Sequence, residues 1–244
     1  MALGPLVVHW YGIIMAAAML LSIGLAARLS RQYELDKEMV IDLALWLIGG
    51  GVIGARLYEI FLEWPYYSAH PGEILQIWHG GLAIHGALLG GLLALVLFAR
   101  IKKTDAWKLA AIVAPAVALG QAIGRWGNWF NQELFGRPTE AAWGIPIEYA
   151  NRPAGYEIFS YFHPTFLYES LGCLAIAVVL TILVIKKTVP PRVLGMYAIM
   201  YGALRFCLEF IKIDTTPVVW GLRWPQIISL VLIAAGWWLI QKKR

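Results

Sequence analysis

Pro164–Ile185 reads PTFLYESLGCLAIAVVLTILVI, with Glu169 as its single charged side chain. As a helix rising 1.5 Å per residue, such a run reaches across the roughly 30 Å of a bilayer's hydrocarbon. In hydrocarbon every backbone N–H and C=O must be satisfied within the fold, so only helices and closed barrels cross it. A long apolar run without strand-like alternation decides for the helix. Six further runs of similar character lie near Leu6–Leu29, Met39–Leu62, Gly81–Ile101, Trp107–Trp126, Val193–Ile213 and Pro225–Ile240.

The whole composition agrees. The 244 residues are 60% hydrophobic and 14% charged, with a mean hydropathy of +0.66, whereas soluble domains are nearer half apolar and a quarter charged. The sequence therefore predicts an all-α polytopic membrane protein of seven transmembrane helices in a single integral-membrane domain. The first run has no basic segment before it and no clear cleavage site, so it reads as a retained span. Cys173 and Cys207 each sit inside an apolar run, which makes them small core residues and argues against a disulfide framework.

Basic residues set the expected orientation. Arg28, Arg31, Lys37, Arg100, Lys102, Lys103, Lys108, Lys186, Lys187, Arg192, Lys242, Lys243 and Arg244 fall on one side, thirteen against the five of Arg125, Arg137, Arg152, Lys212 and Arg223. The excess places the N-terminus outside and the C-terminus in the cytoplasm, as seven spans require. The net charge of +5 thus reflects topology and needs no nucleic-acid partner. Residues 127–163, rich in Gly, Pro, Trp and Tyr, read as a small outer cap between spans four and five. The stretch from Trp64 to Trp78 reads as an interfacial element.

Ionisable groups inside spans are costly and mark function. On this orientation they gather in the outer half of the membrane: Tyr11 in span one, Arg56, Glu59 and Glu63 in span two, His85 in span three, Arg125 and Asn128 in span four, Tyr168 and Glu169 in span five. Tyr201, Arg205 and Glu209, at i, i+4 and i+8, form one stripe on span six. The inner halves are Leu, Ile, Val and Ala. Arg56–Glu59 and Arg205–Glu209 also read as ion pairs that fix helix register. Two arginines at one depth on different helices instead suit a phosphate, which guanidinium forks bind bidentately. His85 stands among glycines in Gly80–Gly86, a sign of close approach by a backbone or a ligand; Gly50 and Gly54, at small-xxx-small spacing, read as helix packing. Zinc-site spacings, a nucleophile elbow, a Walker loop and a carboxylate array for magnesium are all missing, so no metal is expected.

Gly124-Arg125-Trp126-Gly127-Asn128-Trp129-Phe130-Asn131-Gln132-Glu133-Leu134-Phe135-Gly136 resembles the signature of the bacterial prolipoprotein diacylglyceryl transferases, departing only where Trp129 replaces a Phe. Tyr11-Gly12, Gly80–Gly86, His163-Pro164-Thr165-Phe166-Leu167-Tyr168-Glu169 and Tyr201 to Glu209 resemble further family segments in the same order. Near the end, Trp224-Pro225-Gln226 keeps only the glutamine of the family's Met-Gly-Gln. The resemblance implies transfer of the sn-1,2-diacylglyceryl group of phosphatidylglycerol to the lipobox cysteine of a prolipoprotein. It implies a bacterial cytoplasmic membrane, no cofactor, and Arg125 as a phospholipid ligand. The expected site is then His85, Arg125, Asn128, Glu133, Tyr201, Arg205 and Glu209, with Tyr11 and Gly136 on the substrate side. Histidine, with an ordinary pKa of roughly 6.5, suits a general base toward a thiol; His85 as a headgroup ligand stays equally open. A phosphate-headgroup transporter is the competing expectation, and it calls for polar residues through the full depth of the membrane.

Overall fold

A computed structural model describes residues 10–242 and the backbone of residues 2–3 and 6–7. Val8, His9, Lys243 and Arg244, parts of the expected first span and C-terminal charge cluster, lie outside the described residues. Eight α-helices dominate: α1 (Trp10–Leu29), α2 (Lys37–Leu62), α3 (Trp64–Ala69), α4 (Ile84–Ile101), α5 (Ala106–Phe130), α6 (Thr165–Ile185), α7 (Pro190–Leu208) and α8 (Trp224–Gln241). Six of them, α1, α2, α4, α5, α6 and α8, are long and apolar enough to cross a membrane. The chain is thus a polytopic all-α membrane protein, with six such helices among the described residues rather than the expected seven. The one that falls short is α7, whose 19 residues include Pro190, Pro191, Arg192 and Arg205.

Three span boundaries differ from the expected ones. Leu6–Val7 pairs in antiparallel fashion with Ala2–Leu3, so its backbone groups are committed to a ladder and these two residues are not part of α1, described from Trp10. Gly80 and Gly81 have φ of 91° and 72°, a left-handed conformation that an α-helix cannot contain, so α4 starts at Ile84 and not at Gly81. In α7 the two prolines favour an early start. Its end at Leu208, short of the expected Ile213, coincides with Arg223 donating to the carbonyls of Glu209 (3.0 Å) and Lys212 (2.6 Å), acceptors that would otherwise call for another helical turn.

The chain divides into two compact units, Tyr33–Ala110 and Met1–Gln32 with Ala111–Arg244. In the first, α2 and α4 form a hairpin whose contact is nearly backbone on backbone. A Cβ added to Gly50, Gly54, Gly86 or Gly90 would lie closer than 3.0 Å to a backbone atom of the facing helix. The small-xxx-small spacing of Gly50 and Gly54 is therefore helix packing, as read, and Gly86 and Gly90 answer it from α4. Arg56, 7% exposed, does not pair with Glu59. Its Nε donates to the carbonyl of Ile74 (2.9 Å), Nη1 to those of Gly80 (2.8 Å) and Gly81 (2.9 Å), and Nη2 to that of Glu73. Its guanidinium lies 4.9 Å from the Tyr67 ring centroid. The arginine is a clamp on the loop that closes the hairpin.

In the second unit α7 packs against α6 and α8. Gly195 and Gly236 face each other so closely that a Cβ on either would meet the other's carbonyl at 2.6 Å. Tight packing of this kind holds a helix that is less apolar than its neighbours. Between α5 and α6 the chain builds a small core of Phe135, Ile147 and Phe162, where the short strand Ile145–Pro146 pairs with Tyr161–Phe162. Both cysteines are free, Cys173 buried and Cys207 exposed.

Candidate active site

The polar centre of the second unit is built on Glu169, four residues into α6 and 1% exposed. Its Oε1 accepts from Arg125 Nη2 at 2.6 Å and its Oε2 from Arg205 Nη1 at 3.1 Å. Arg125 comes from the last turns of α5 and Arg205 from the last turn of α7, so three helices meet at one carboxylate. Lys212 Nζ stands 3.8 Å from the same Oε2. Glu209, also 1% exposed, lies 3.7 Å from Arg205 and 3.2 Å from Arg223. Buried carboxylates persist where opposite charge and hydrogen bonds compensate the lost hydration: Glu169 has both, while Glu209 has opposite charge beside it but its Oε2 makes no hydrogen bond among the described residues.

The network runs outward along α5. Arg125 Nη1 reaches Asn128 Oδ1 at 3.5 Å, and Asn128 Nδ2 donates to Glu133 Oε1 at 2.7 Å. Asn131 reaches the same oxygen at 3.4 Å. Arg125 and Asn128 share a helix face because they are three residues apart, while Glu133 returns past the end of α5. A cavity of about 310 Å³ opens beside it, lined by Asn131, Gln132, Glu133, Asn151 and Asp214 among others.

Of the expected residues, Arg125, Asn128, Glu133, Arg205 and Glu209 are thus joined in one network. Tyr201 lies one turn before Arg205 and stacks on Tyr197, ring centroids 5.7 Å apart; Tyr197 in turn donates to Gln121 of α5 at 3.2 Å. Tyr11 lays its ring on Gly127, where a Cβ would meet ring atoms at 2.6 and 2.8 Å, so this glycine of the signature seats an aromatic side chain. Gly136 sits where a Cβ would press on Ile211, His163 and Thr165, all closer than 3.0 Å. Its backbone bridges to Lys212 and its N–H donates to the carbonyl of His163.

His85 belongs to the other unit. It is the second residue of α4 and is exposed. Its ring lies 6.1 Å from that of Tyr58. The glycines around it serve backbone approach: Gly86 meets α2, and Gly81 meets the Arg56 guanidinium and the Tyr67 hydroxyl. Three residues of the network stood outside the expected site: Glu169, noted in the sequence only as a polar group inside a span, and Lys212 and Arg223, which were not singled out. For Glu169 the signal was present, a carboxylate inside an otherwise apolar span. For Lys212 and Arg223 there was none, because both read as loop charges.

Fold and centre together define an α-helical integral-membrane protein with a buried arginine–carboxylate network assembled from three helices. More narrowly, the chain belongs to the prolipoprotein diacylglyceryl transferase family, whose model matches residues 1–241. Its relatives include phosphatidylglycerol–prolipoprotein diacylglyceryl transferases. That of Synechococcus elongatus is 45% identical over 240 residues, 96% of this chain and 83% of its own. That of Acaryochloris marina is 42% identical over 247 residues (99% and 90%), and that of Thermosynechococcus vestitus 42% over 238 (97% and 88%).

Proposed function

We propose that this protein transfers the sn-1,2-diacylglyceryl group of phosphatidylglycerol to the lipobox cysteine of prolipoproteins, giving a thioether and releasing glycerol phosphate. The observation that carries the reading is the convergence of Arg125 and Arg205 on buried Glu169 in a chain of this family. Both arginines keep about a fifth of their side-chain surface accessible, 22% and 19%, so each has N–H edge left for an anion. A phosphodiester is such an anion, and the guanidinium fork matches its oxygens.

The nucleophile arrives with the substrate, so the enzyme supplies no serine or cysteine of its own. The thiolate attacks the glycerol carbon that carries the phosphate ester, a C–S bond forms, and the C–O electron pair leaves on the phosphate. Arg125 and Arg205 stabilise the charge that develops there, in surroundings of low dielectric. Asn128 donates to a phosphate or ester oxygen, and Glu133 orients Asn128. Glu209 steadies Arg205, and Tyr201 shapes the approach to it. Tyr11 and Gly136 frame the substrate side. His85 takes the thiol proton as general base, with no metal and no cofactor. In this reading α7 is the seventh span, and the whole chain is one membrane domain capped by residues 127–163. Its N-terminus is outside and its site faces the outer half of a bacterial cytoplasmic membrane.

The test is a transfer assay with purified protein in liposomes containing phosphatidylglycerol and a lipobox peptide. The expected result is a diacylglyceryl adduct on the cysteine by mass spectrometry, lost in Arg125→Ala. Folded wild-type protein that yields no adduct would overturn the reading. His85→Gln tests the base separately: its pH–rate profile should lose the limb of a titrating histidine, and a variant that keeps most of its rate would remove His85 from that role.

A further inference from the structure

Lys212 is 5% exposed, yet its ammonium, with three donors, makes no hydrogen bond among the described residues. Its nearest ionic partner, Glu169 Oε2, is 3.8 Å away, beyond hydrogen-bonding distance. That carboxylate is already satisfied by Arg125 at 2.6 Å and Arg205 at 3.1 Å. A lysine kept only to neutralise Glu169 would be superfluous. Around the two buried carboxylates, Glu169 and Glu209, stand Arg125, Arg205, Lys212 and Arg223, with Asp214 also acting on Lys212. Burial, and then the charge of Arg205, lower the lysine's pKa. An arriving anion would relieve both effects.

The position is held with care. The turn after α7 is pinned by Arg223, which donates to the carbonyls of Glu209, Lys212 and Asp214. From the other side Gly136 bridges to the Lys212 backbone, and Arg137 N–H donates to the carbonyl of Ile211 at 2.9 Å. A long, flexible cation has thus been fixed at its root and left with free donors.

Resting on the transfer reaction above, we infer that Lys212 is the third phosphate-binding cation of the site and acts on the departing glycerol phosphate. Phosphatidylglycerol carries one phosphate charge. When the C–O bond breaks, the electron pair goes to the phosphate oxygen and the leaving group becomes a monoester dianion, while the thiol proton goes to the base. Two arginines suffice for the monoanion. A third cation matters where the second charge develops, which is the kind of interaction that raises kcat and not ground-state affinity. Gly136 then serves the substrate site indirectly, as a positioning residue for Lys212.

The experiment compares wild type, Arg125→Ala, Lys212→Met and Lys212→Arg in the liposome assay, with glycerol phosphate added as product inhibitor. For Lys212→Met, kcat should fall about 100-fold, the scale of losing one preorganised partner to developing charge. KM for phosphatidylglycerol should stay within about threefold, because uniform binding is retained. Inhibition by glycerol phosphate should weaken at least tenfold, roughly the loss of one charge-assisted contact. Lys212→Arg should recover most of the rate. A folded Lys212→Met enzyme with wild-type kcat and product inhibition overturns the inference, as does a lost rate that arginine does not restore. If Lys212→Met does not fold, Lys212→Gln replaces it. If neither neutral variant folds, Lys212→Arg decides: a folded arginine variant that has lost product inhibition overturns the inference, and one that retains it supports it. Wild type that makes no adduct would sink the transfer reading itself, a different result from wild type that does beside an unchanged Lys212→Met.

Discussion

Replacing Glu169 by glutamine changes almost no volume and removes one charge from the centre of the network. The carboxylate now offers one oxygen to Arg125 at 2.6 Å and the other to Arg205 at 3.1 Å. Glutamine keeps one acceptor and turns an NH2 toward whichever arginine loses its partner, donor against donor. Removing one side of a buried ion pair costs about 3–5 kcal/mol. The low end applies here, because arginines that keep a fifth of their surface can partly turn toward water. In a chain of this size 1 kcal/mol shifts the melting temperature by about 2–4 °C, so the variant should melt about 6–12 °C below wild type. Tryptophan fluorescence in detergent reads this directly, since the chain has 12 tryptophans. Phosphatidylglycerol should raise the melting temperature of Glu169→Gln more than that of wild type, because its phosphate supplies the missing negative charge. A variant that melts within about 2 °C of wild type, with no added response to the lipid, would refute the claim that Glu169 organises the two arginines.

Four shorter predictions follow from the packing and charge of the two units. Gly90→Leu should abolish recovery of monodisperse protein by gel filtration, because its side chain would have to enter the backbone of α2. Arg56→Lys leaves three donors on a point to replace a fork serving four carbonyls; losing two such bonds, at about 1.5 kcal/mol each, should speed proteolysis between residues 70 and 83 about 100-fold. Gly136→Ala should cost about 1–3 kcal/mol by overpacking, read as a lower melting temperature, with the transfer rate falling as Lys212 shifts. The fourth concerns pH. Burial lowers the Lys212 pKa below the usual 10.5, so above the folded value the unfolded chain holds this proton more tightly than the native one. Its contribution should make the melting temperature rise with pH up to about 10, and Lys212→Met should lack that rise.

The helices were legible because hydrocarbon leaves few choices: long apolar runs located every one of α1, α2, α4, α5, α6 and α8. Their ends were less so, since they depend on contacts distant in sequence. Leu208 ends α7 beside an arginine fourteen or more residues later in the chain, and no local pattern announces Arg223 as the partner of those carbonyls. Within the site, Arg125, Asn128 and Glu133 were readable as a group because α5 and the turn after it bring near neighbours together. Glu169 was seen but not given its central place, because what makes it central is the meeting of α5, α6 and α7 around it. Arg56 is the instructive contrast. Its spacing to Glu59 permits an ion pair, yet it spends its donors on loop carbonyls that would otherwise be left without partners. Spacing states what can meet, and the remaining unsatisfied groups decide what does.

The glycine contact between α2 and α4 bears on how the protein is made. Gly50, Gly54, Gly86 and Gly90 supply the whole interlock from within residues 33–110, and Arg56 ties off the connecting loop from the same stretch. Nothing in that clasp waits for α6, α7 or α8. Once its second helix has left the ribosome, the hairpin holds all the parts its pairing requires and can close as a local, low-contact-order event. The arginine–carboxylate network is the opposite case. Arg125 cannot find Glu169 until α6 has been synthesised, nor can Arg205 join them before α7, so its charges must stay solvated or provisionally paired through most of translation. The glycine-clasped hairpin is therefore an early product of biogenesis, and the arginine–carboxylate network is among the last things the chain completes.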